Sequence, residues 1–384
     1  MKNAHILGVG HTPFGKHDAN LEELIRLAVT EALDDAEVDA ADVDEIFVGH
    51  FNAGLSKQEF VSSLVLQVDP ALRFKPAHRL ENACASGSAA VHAAVRAIQS
   101  GQAQRVLVVG AEKMTDCPDI GGALARASYL AEESRFDSFA AVFGHIADHY
   151  FERYGEQLDA LAQIAVKNHA NGLNNPYAQL RKAFDYEFCR YPSDKNPQVA
   201  GQLKRTDCSL VSDGAAALVL TAENLVPAHK PTARFSSIAQ VNDFLPMSRR
   251  DLSKLEGCEA AWKKAFQQAD LSLDQLDFVE THDCFTVAEL MQYEAMGLTA
   301  YGEGYVALAE GWTAPDGYLP VNLSGGLKSK GHPIGATGVS MHALSALQLT
   351  GRAGAMQQSD CRYGGVFNMG GTGVANYVSI LAAA

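Results

Sequence analysis

The amino-acid sequence predicts an α/β fold made of buried sheets, covering helices and two similar halves. Short apolar strands alternate with segments of helical spacing along most of the 384 residues. Residues 84–114 and 333–371 share one pattern, in which a turn of small residues leads into an alanine-rich helix and then an apolar strand closing on glycine. Two such units packed face to face would bring the starts of both helices to a shared centre, where a ligand crevice is expected.

The elements follow from residue spacing. Segment 21–33, "LEELIRLAVTEAL", is predicted to be a helix because its apolar residues recur every three or four positions and face one side. Segment 44–50, "DEIFVGH", is predicted to be a buried strand. Further strands are predicted where aliphatic and β-branched residues are dense, at 105–113, 215–221, 276–283, 364–371 and 375–383.

The character of the chain changes between residues 117 and 210, where helical and loop-like stretches separate two predicted strands. We therefore expect an insertion in the first half. The predicted organisation is a first part of the N-terminal half over 1–116, an inserted domain over 117–210, a return of the N-terminal half over 211–228, and a C-terminal half over 229–384.

Composition excludes several classes of function. A formal net charge of -14 would repel nucleic acid and anionic membranes, so neither is expected as a partner. Seven cysteines, an odd number without C-x-x-C spacing, indicate reduced thiols rather than a disulfide framework or a zinc ribbon. There is no apolar run of eighteen residues and no apolar signal core in the first fifteen, so we expect a cytoplasmic enzyme.

Cys84 stands among small residues in "ENACASGSAAVHAAVRA", where a helix is predicted to begin. Unpaired N–H groups and the helix dipole favour a thiolate there, and they would lower the thiol pKa toward neutrality. The alternative is a small cysteine that merely packs the helix start.

Three other stretches carry residues suited to acyl chemistry. His332 lies in the glycine-rich turn "SGGLKSKGHPIGATG", where a neutral imidazole near Cys84 could take its proton. His282 and Cys284 stand together in "ETHDCFTVAEL", a strand that leads through a turn into a helix. Gly370 in "FNMGGTG" ends a strand, and its backbone N–H could bind an oxyanion.

Together, "NACASGSAA", "HDCF", "GGLKSKGHPIGATG" and "NMGGTGVA" resemble the motifs of thiolases, specifically the sterol-carrier-protein type, over nearly the whole chain. The resemblance implies a five-layered α-β-α-β-α fold of two similar halves, with residues 117–210 as a loop domain that covers coenzyme A. It also implies acyl-CoA C-acyltransferase activity in lipid metabolism. The reactions are thiolytic cleavage of 3-oxoacyl-CoA and Claisen condensation of acetyl-CoA through a covalent thioester.

The resemblance implies roles residue by residue. Cys84 is the nucleophile, His332 activates it, and Cys284 is the acid and base. His282 and His332 form one oxyanion hole, and the N–H groups of Cys84 and Gly370 form the other. The sequence departs from ordinary thiolases at Asn368, where those enzymes carry their second cysteine; in the sterol-carrier-protein type Cys284 takes that role.

Substrates and partners follow from the resemblance. Coenzyme A esters are expected as substrates, with no permanently bound cofactor, and a homodimer or homotetramer is expected. The candidate contacts for coenzyme A are Arg181, Lys182, Ser324 and Gly325. His145 and His149 have the spacing of a metal-binding helix face but lack a third ligand, so no metal is expected.

Alternatives remain open at this stage. One is a retro-aldolase acting on 3-hydroxyacyl-CoA, although such enzymes lose the cysteine and histidine set that is intact here. Another is a thiolase-fold subunit that needs an OB-fold partner to complete its coenzyme A site. A ketoacyl synthase would be expected to carry different motifs around its cysteine.

Overall fold

A computed structural model describes residues 3–384. The strands are β1 (Ala4–His11), β2 (Glu45–Gly49), β3 (Ala77–Leu80), β4 (Arg105–Glu112), β5 (Gln198–Ala200), β6 (Leu203–Lys204), β7 (Gly214–Ala222), β8 (Ala233–Asn242), β9 (Phe278–Glu280), β10 (Tyr363–Gly370) and β11 (Ala375–Ala383). The helices are α1 (Leu21–Ala36), α2 (Val61–Leu64), α3 (Ser86–Ser100), α4 (Ile120–Ala125), α5 (Leu130–Glu133), α6 (Phe139–Tyr154), α7 (Leu158–Gly172), α8 (Tyr186–Arg190), α9 (Glu256–Ala269), α10 (Thr286–Ala295), α11 (Gly304–Ala309), α12 (Gly326–Lys330) and α13 (Ile334–Leu349).

The large sheet is built from two halves with the same pairing pattern. Its order is β3-β2-β4-β7-β1-β8-β11-β10-β9. From β1 outward the pairings with β7 and β4 are antiparallel and those with β2 and β3 are parallel. From β8 outward the pairings with β11 and β10 are antiparallel, that with β9 is parallel, and a parallel bridge joins Val279 to Val321. This correspondence confirms the predicted internal repeat, in which α3 and β4 match α13 and β10.

Helices α3 and α13 lie side by side between the two halves of the sheet. Helix α13 packs on β4 and β7 of one half and on β10 and β11 of the other. His92 of α3 and His342 of α13 both hydrogen-bond the Ser379 hydroxyl of β11, at 2.9 and 2.8 Å. Helix α1 covers the outer face of the first half and α9 covers β8 and β11, which gives the expected five layers.

Glycines allow the starts of α3 and α13 to touch backbone to backbone. A Cβ on Gly87 would lie 2.8 Å from the Gly335 carbonyl oxygen, and a Cβ on Gly338 would lie 2.3 Å from the Ser88 nitrogen. Only residues without a side chain can pack at these distances. Because Cys84 and His332 immediately precede these two helices, this crossing brings them to one place.

Most predicted elements are found. The helix predicted over 21–33 is α1, and its apolar face is buried against the sheet. The edge strand β3 and the long strand β8 were not predicted. Strand β8 alternates buried and half-buried positions, but serines at 236 and 237 dilute its apolar pattern. The segment 117–210 carries α4 to α8 and the small β5–β6 hairpin, while β7 inserts between β4 and β1. Among residues 3–384 there is no helix long and apolar enough to cross a membrane.

Candidate active site

Cys84 lies in a tight turn between β3 and α3 and is 6% exposed. Ala83 has a left-handed backbone conformation with φ 48°, which an alanine adopts only at a cost in conformational energy. The hydroxyl of Ser86 stabilises the turn by donating to the Ala83 carbonyl at 2.6 Å and accepting from the Asn82 N–H at 3.0 Å. The local sequence therefore holds the sulfur at the centre of the molecule, just before the α3 helix.

His332 is positioned by the turn between α12 and α13. Its backbone N–H donates to the Ser212 hydroxyl at 2.9 Å, and its Nδ1 lies 2.6 Å from the Thr337 hydroxyl. Thr337 donates its single hydroxyl hydrogen to the Pro333 carbonyl at 3.0 Å, so its oxygen accepts from the Nδ1–H of His332. The hydrogen of the neutral ring is then on Nδ1, which leaves a basic lone pair on Nε2.

His282 follows β9, and its backbone N–H donates to the Gln292 side-chain oxygen at 2.9 Å. Its Nδ1 lies 2.9 Å from the Asn368 side-chain nitrogen. The two rings of His282 and His332 are nearly perpendicular, at 82°, with centroids 5.2 Å apart. The Nε2 atoms of both rings are buried without a hydrogen-bond partner, as expected of groups that await a ligand.

The three predicted groups converge. The Cys84 sulfur and one ring nitrogen each of His282 and His332 lie within 4.8 Å of one another. This separation allows direct proton transfer after small adjustments and leaves room for a carbonyl oxygen between the rings. The same three atoms could hold one metal ion, and an ion bound there would occupy the nucleophilic sulfur.

Cys284 lies between β9 and α10 and is 3% exposed. Its carbonyl accepts from the Ser209 N–H at 2.9 Å, which holds the turn against the strand that returns from the inserted segment. Burial raises the pKa of the Cys284 thiol well above its usual range, and the nearby Cys84 raises it further. Cys284 is therefore a protonated thiol that can serve as an acid.

The ionisation state of Cys84 differs from the expectation based on the helix start. Burial raises the pKa of Cys84 to about 12, and this effect outweighs the opposing N–H groups of Gly371 and of Cys84 itself. Burial, together with the charge of Lys330, lowers the pKa of His332 to about 3. The resting pair is thus a neutral thiol beside a neutral imidazole, and the predicted lowered thiol pKa is wrong for the unliganded protein.

The second predicted oxyanion hole shifts by one residue. Gly370 belongs to the β10–β11 ladder opposite Ala375, and a Cβ at Gly370 would lie 2.1 Å from the Asn82 carbonyl oxygen. Gly371 turns the chain with φ 62°, and its N–H faces the Cys84 sulfur. The structure therefore favours the N–H groups of Cys84 and Gly371, in place of Gly370.

The candidate coenzyme A contacts separate into two pairs. Arg181 and Lys182 lie exposed beyond α7, where the Arg181 guanidinium donates to the Leu173 carbonyl. Ser324 is buried and its hydroxyl donates to Glu280 at 2.5 Å, while Gly325 packs on the backbone of α7. Burial and existing bonds keep Ser324 and Gly325 from a solvated phosphate, so their predicted role as direct contacts is wrong.

Sequence reasoning missed the residues that support the two histidines. Thr337 and Ser212 hold His332, and Asn368 was recognised only as a departure from the usual cysteine. Lys330 is fully buried and its Nζ has no partner. The threonine five positions after the histidine could have been found, since one helical turn brings its hydroxyl back over the preceding residues. Ser212 and Asn368 come from distant segments and left no local signal.

A cavity of about 720 Å³ lies beside the nucleophile. It is flanked by residues 82–83 and 370–371, on either side of Cys84. Its walls include the apolar residues Phe51 and Leu245, and Arg126.

The chain is similar to known proteins over its full length. Family models described as "Thiolase, N-terminal domain" and "Thiolase C-terminal domain-like" match residues 4–187 and 239–383. It is 36% identical to an acetyl-CoA acetyltransferase of Methanothermobacter thermautotrophicus, with 100% of both chains covered. It is 30% identical to human sterol carrier protein 2, over 96% of this chain and 70% of that protein.

Solved structures show the same fold. A structure titled "Ltp2-ChsH2(DUF35) aldolase" matches with a TM-score of 0.83 and 23% identity, covering 99% of this chain and 98% of that chain. Human mitochondrial 3-ketoacyl-CoA thiolase in complex with CoA matches with a TM-score of 0.78 and 18% identity, covering 100% of this chain and 98% of that chain.

Proposed function

The chain belongs to the thiolase family and is an acyltransferase, and from this premise we propose that it exchanges acyl groups between coenzyme A esters through a thioester on Cys84. The reactions are thiolytic cleavage of 3-oxoacyl-CoA and its reverse, the condensation of acetyl-CoA. The observation that carries the proposal is the convergence of the Cys84 sulfur with the two imidazoles within 4.8 Å.

The first half-reaction transfers the acyl group to the protein. Nε2 of His332 takes the thiol proton as the Cys84 sulfur attacks the 3-oxo carbonyl, so the thiolate forms only with substrate in place. The bond between C2 and C3 then breaks and leaves the acyl group on Cys84. The electron pair passes to an acetyl-CoA enolate, which takes a proton from Cys284 to give acetyl-CoA.

The second half-reaction releases the acyl group. The thiol of free coenzyme A gives its proton to the Cys284 thiolate and attacks the thioester. The Cys84 sulfur leaves and recovers its proton from His332, so the protein returns to its starting state. Covalent storage on Cys84 predicts ping-pong kinetics.

Oxyanion stabilisation divides between two places. The N–H groups of Cys84 and Gly371 face the sulfur and suit the oxyanion formed on the acyl carbon. The Nε2 atoms of His282 and His332 suit the enolate oxygen of acetyl-CoA, because the His332 ring has by then gained a proton. Loss of one donor of this kind typically costs about 10²- to 10³-fold in kcat.

The cavity beside Cys84 is proposed to admit the acyl group, because it opens directly at the residues that flank the nucleophile. Leu245→Trp should fill it and raise the KM for acyl-CoA. Leu27→Trp, on the wall of a separate cavity lined by α1, is the matched control. Equal KM values for the native protein and Leu245→Trp would move the substrate channel elsewhere.

Arg181 and Lys182 are proposed to meet the phosphates of coenzyme A, since both are exposed cations of the inserted segment. Replacing each with alanine should raise the KM for coenzyme A at low salt, with Lys263→Ala on the exposed face of α9 as the control. An unchanged KM for coenzyme A would remove both residues from the site.

The intact set of Cys84, Cys284 and His332 favours a thiolase over the retro-aldolase alternative. A solved neighbour of this fold carries an aldolase title and a DUF35 partner, so a partner subunit is proposed only as a second possibility here. Titrating coenzyme A against the purified chain tests it, because a self-sufficient enzyme binds without help. We also propose a homodimer or homotetramer, and a reducing cytoplasmic setting that keeps all seven cysteines as free thiols.

The proposed function is tested by following the loss of acetoacetyl-CoA in the presence of coenzyme A. The native protein should cleave it to two molecules of acetyl-CoA, and Cys84→Ala should abolish the reaction. Cys361→Ala, a thiol in the turn before β10, should keep full activity. Inactivity of the native protein on a range of 3-oxoacyl-CoA esters would contradict the proposal.

A further inference from the structure

Asn368 occupies the place where ordinary thiolases carry a cysteine, and its amide is fixed by its surroundings. Its side-chain nitrogen lies 3.1 Å from the Cys84 carbonyl oxygen, which can only accept a hydrogen bond. The atom facing that carbonyl must therefore be the NH₂ group. A Cβ on Gly338 would lie 2.5 Å from the Asn368 side-chain oxygen, so α13 packs tightly against the amide.

The fixed amide determines the tautomer of His282. The same NH₂ group lies 2.9 Å from Nδ1 of His282 and donates its second hydrogen there. Nδ1 must accept, so the single hydrogen of the neutral ring is on Nε2. Burial lowers the pKa of His282 well below its usual value, which keeps the ring neutral and makes this tautomer its resting state.

The two imidazoles of the site are thus held in opposite states. His332 carries its hydrogen on Nδ1, bonded to Thr337, and offers a lone pair at Nε2. His282 carries its hydrogen on Nε2 and offers a donor. A base and a hydrogen-bond donor stand side by side, and each nitrogen that faces the sulfur is without another partner.

We propose that Asn368 is a positioning residue that locks His282 as a permanent Nε2–H donor for the enolate oxygen, while also anchoring the Cys84 backbone. The inference rests on the proposed function for the identity of the oxyanion. It deepens that function by giving the residue in place of the usual cysteine an electrostatic task. Asp at this position would reverse the tautomer, because a carboxylate accepts a hydrogen bond from Nδ1–H and cannot donate one.

A direct test reads the tautomer in the native protein. In a sample with ¹⁵N-labelled histidine, the His282 signals are identified by their loss in His282→Gln. We expect the hydrogen on Nε2 and a bare Nδ1 in the native protein, and the reverse in Asn368→Asp. A native His282 with its hydrogen on Nδ1 would overturn the inference. This readout needs no substrate, so it stands apart from any failure of the proposed reaction.

A double-mutant cycle separates the two roles of Asn368. Asn368→Asp should lower kcat about 100-fold in the native background, the size expected for loss of one oxyanion donor. In the His282→Gln background the added loss should fall below about 10-fold, because the glutamine amide donates without a tautomer to choose. An equal loss in both backgrounds would mean that Asn368 acts only through the Cys84 backbone, and would overturn the inference.

Discussion

Thr337→Val removes the group that holds His332 in its basic form. Valine has nearly the shape of threonine, so the substitution opens no cavity and deletes only the acceptor that lies 2.6 Å from Nδ1. The ring is buried, so its Nδ1–H would be left unsatisfied, which costs about 1–3 kcal/mol. The ring can avoid this cost by moving the hydrogen to Nε2, where it blocks acceptance of the Cys84 proton.

The free energy of restoring the reactive tautomer then adds to the barrier of acylation. A cost of about 1–3 kcal/mol corresponds to a rate lowered about 5- to 150-fold. The assay is rapid mixing with excess acetoacetyl-CoA without coenzyme A, acid quenching, and intact-mass measurement of the acylated fraction over time.

Thr350→Val supplies the control for the acylation assay. Its hydroxyl donates to the Ala346 carbonyl at 2.7 Å at the far end of the same helix, away from the site. The control should acylate at the native rate and lose comparable stability in urea. An acylation rate for Thr337→Val within twofold of the native rate would refute the assignment of the His332 tautomer.

Three further predictions address packing, proton transfer and pH. Gly338→Ala places a Cβ 2.3 Å from the Ser88 nitrogen, so it should lower the free energy of unfolding by about 1–3 kcal/mol in urea and reduce kcat, whereas Gly351→Ala meets open space and should change kcat little. Cys284→Ala should still exchange acyl groups between Cys84 and coenzyme A but lose cleavage of 3-oxoacyl-CoA at least 100-fold, and equal losses in both assays would remove its role as the acid. The pKa values of four buried histidines are lowered to about 3 or 4 in the folded protein, at His11, His169, His332 and His342. Because the unfolded chain binds these protons first, stability is full above pH 6.5 and falls below it by about 1.4 kcal/mol per histidine per pH unit. Urea titrations from pH 7 to 5 that show no loss would contradict these pKa directions.

The parts of the fold that repeat within the sequence were predictable from it. The shared pattern of turn, helix and strand placed α3 with β4 and α13 with β10, because small residues and apolar runs are local signals. Strand β8 escaped because serines occupy its inner and outer faces, and β3 escaped because its four residues are half-buried or exposed. Burial of an edge or a serine-rich strand depends on neighbours that the local sequence does not reveal.

The residue types of the site were predictable, but their ionisation was not. Motifs singled out Cys84, His282, Cys284 and His332, and the structure brings the cysteine nucleophile together with both histidines. The effect of a helix start on a thiol is local, whereas the burial that raises the Cys84 pKa comes from segments far along the chain. The same distance in sequence hides Asn368 from its partner His282, which lies 86 positions away.

The covalent thioester on Cys84 is tested most directly by mapping the acyl adduct. The protein is mixed with acetoacetyl-CoA without coenzyme A, quenched in acid, digested and analysed by mass spectrometry. We predict about one acetyl group per chain, located on Cys84, with an equal burst of acetyl-CoA. An adduct on another cysteine, or a burst of acetyl-CoA that persists in Cys84→Ala, would contradict the account.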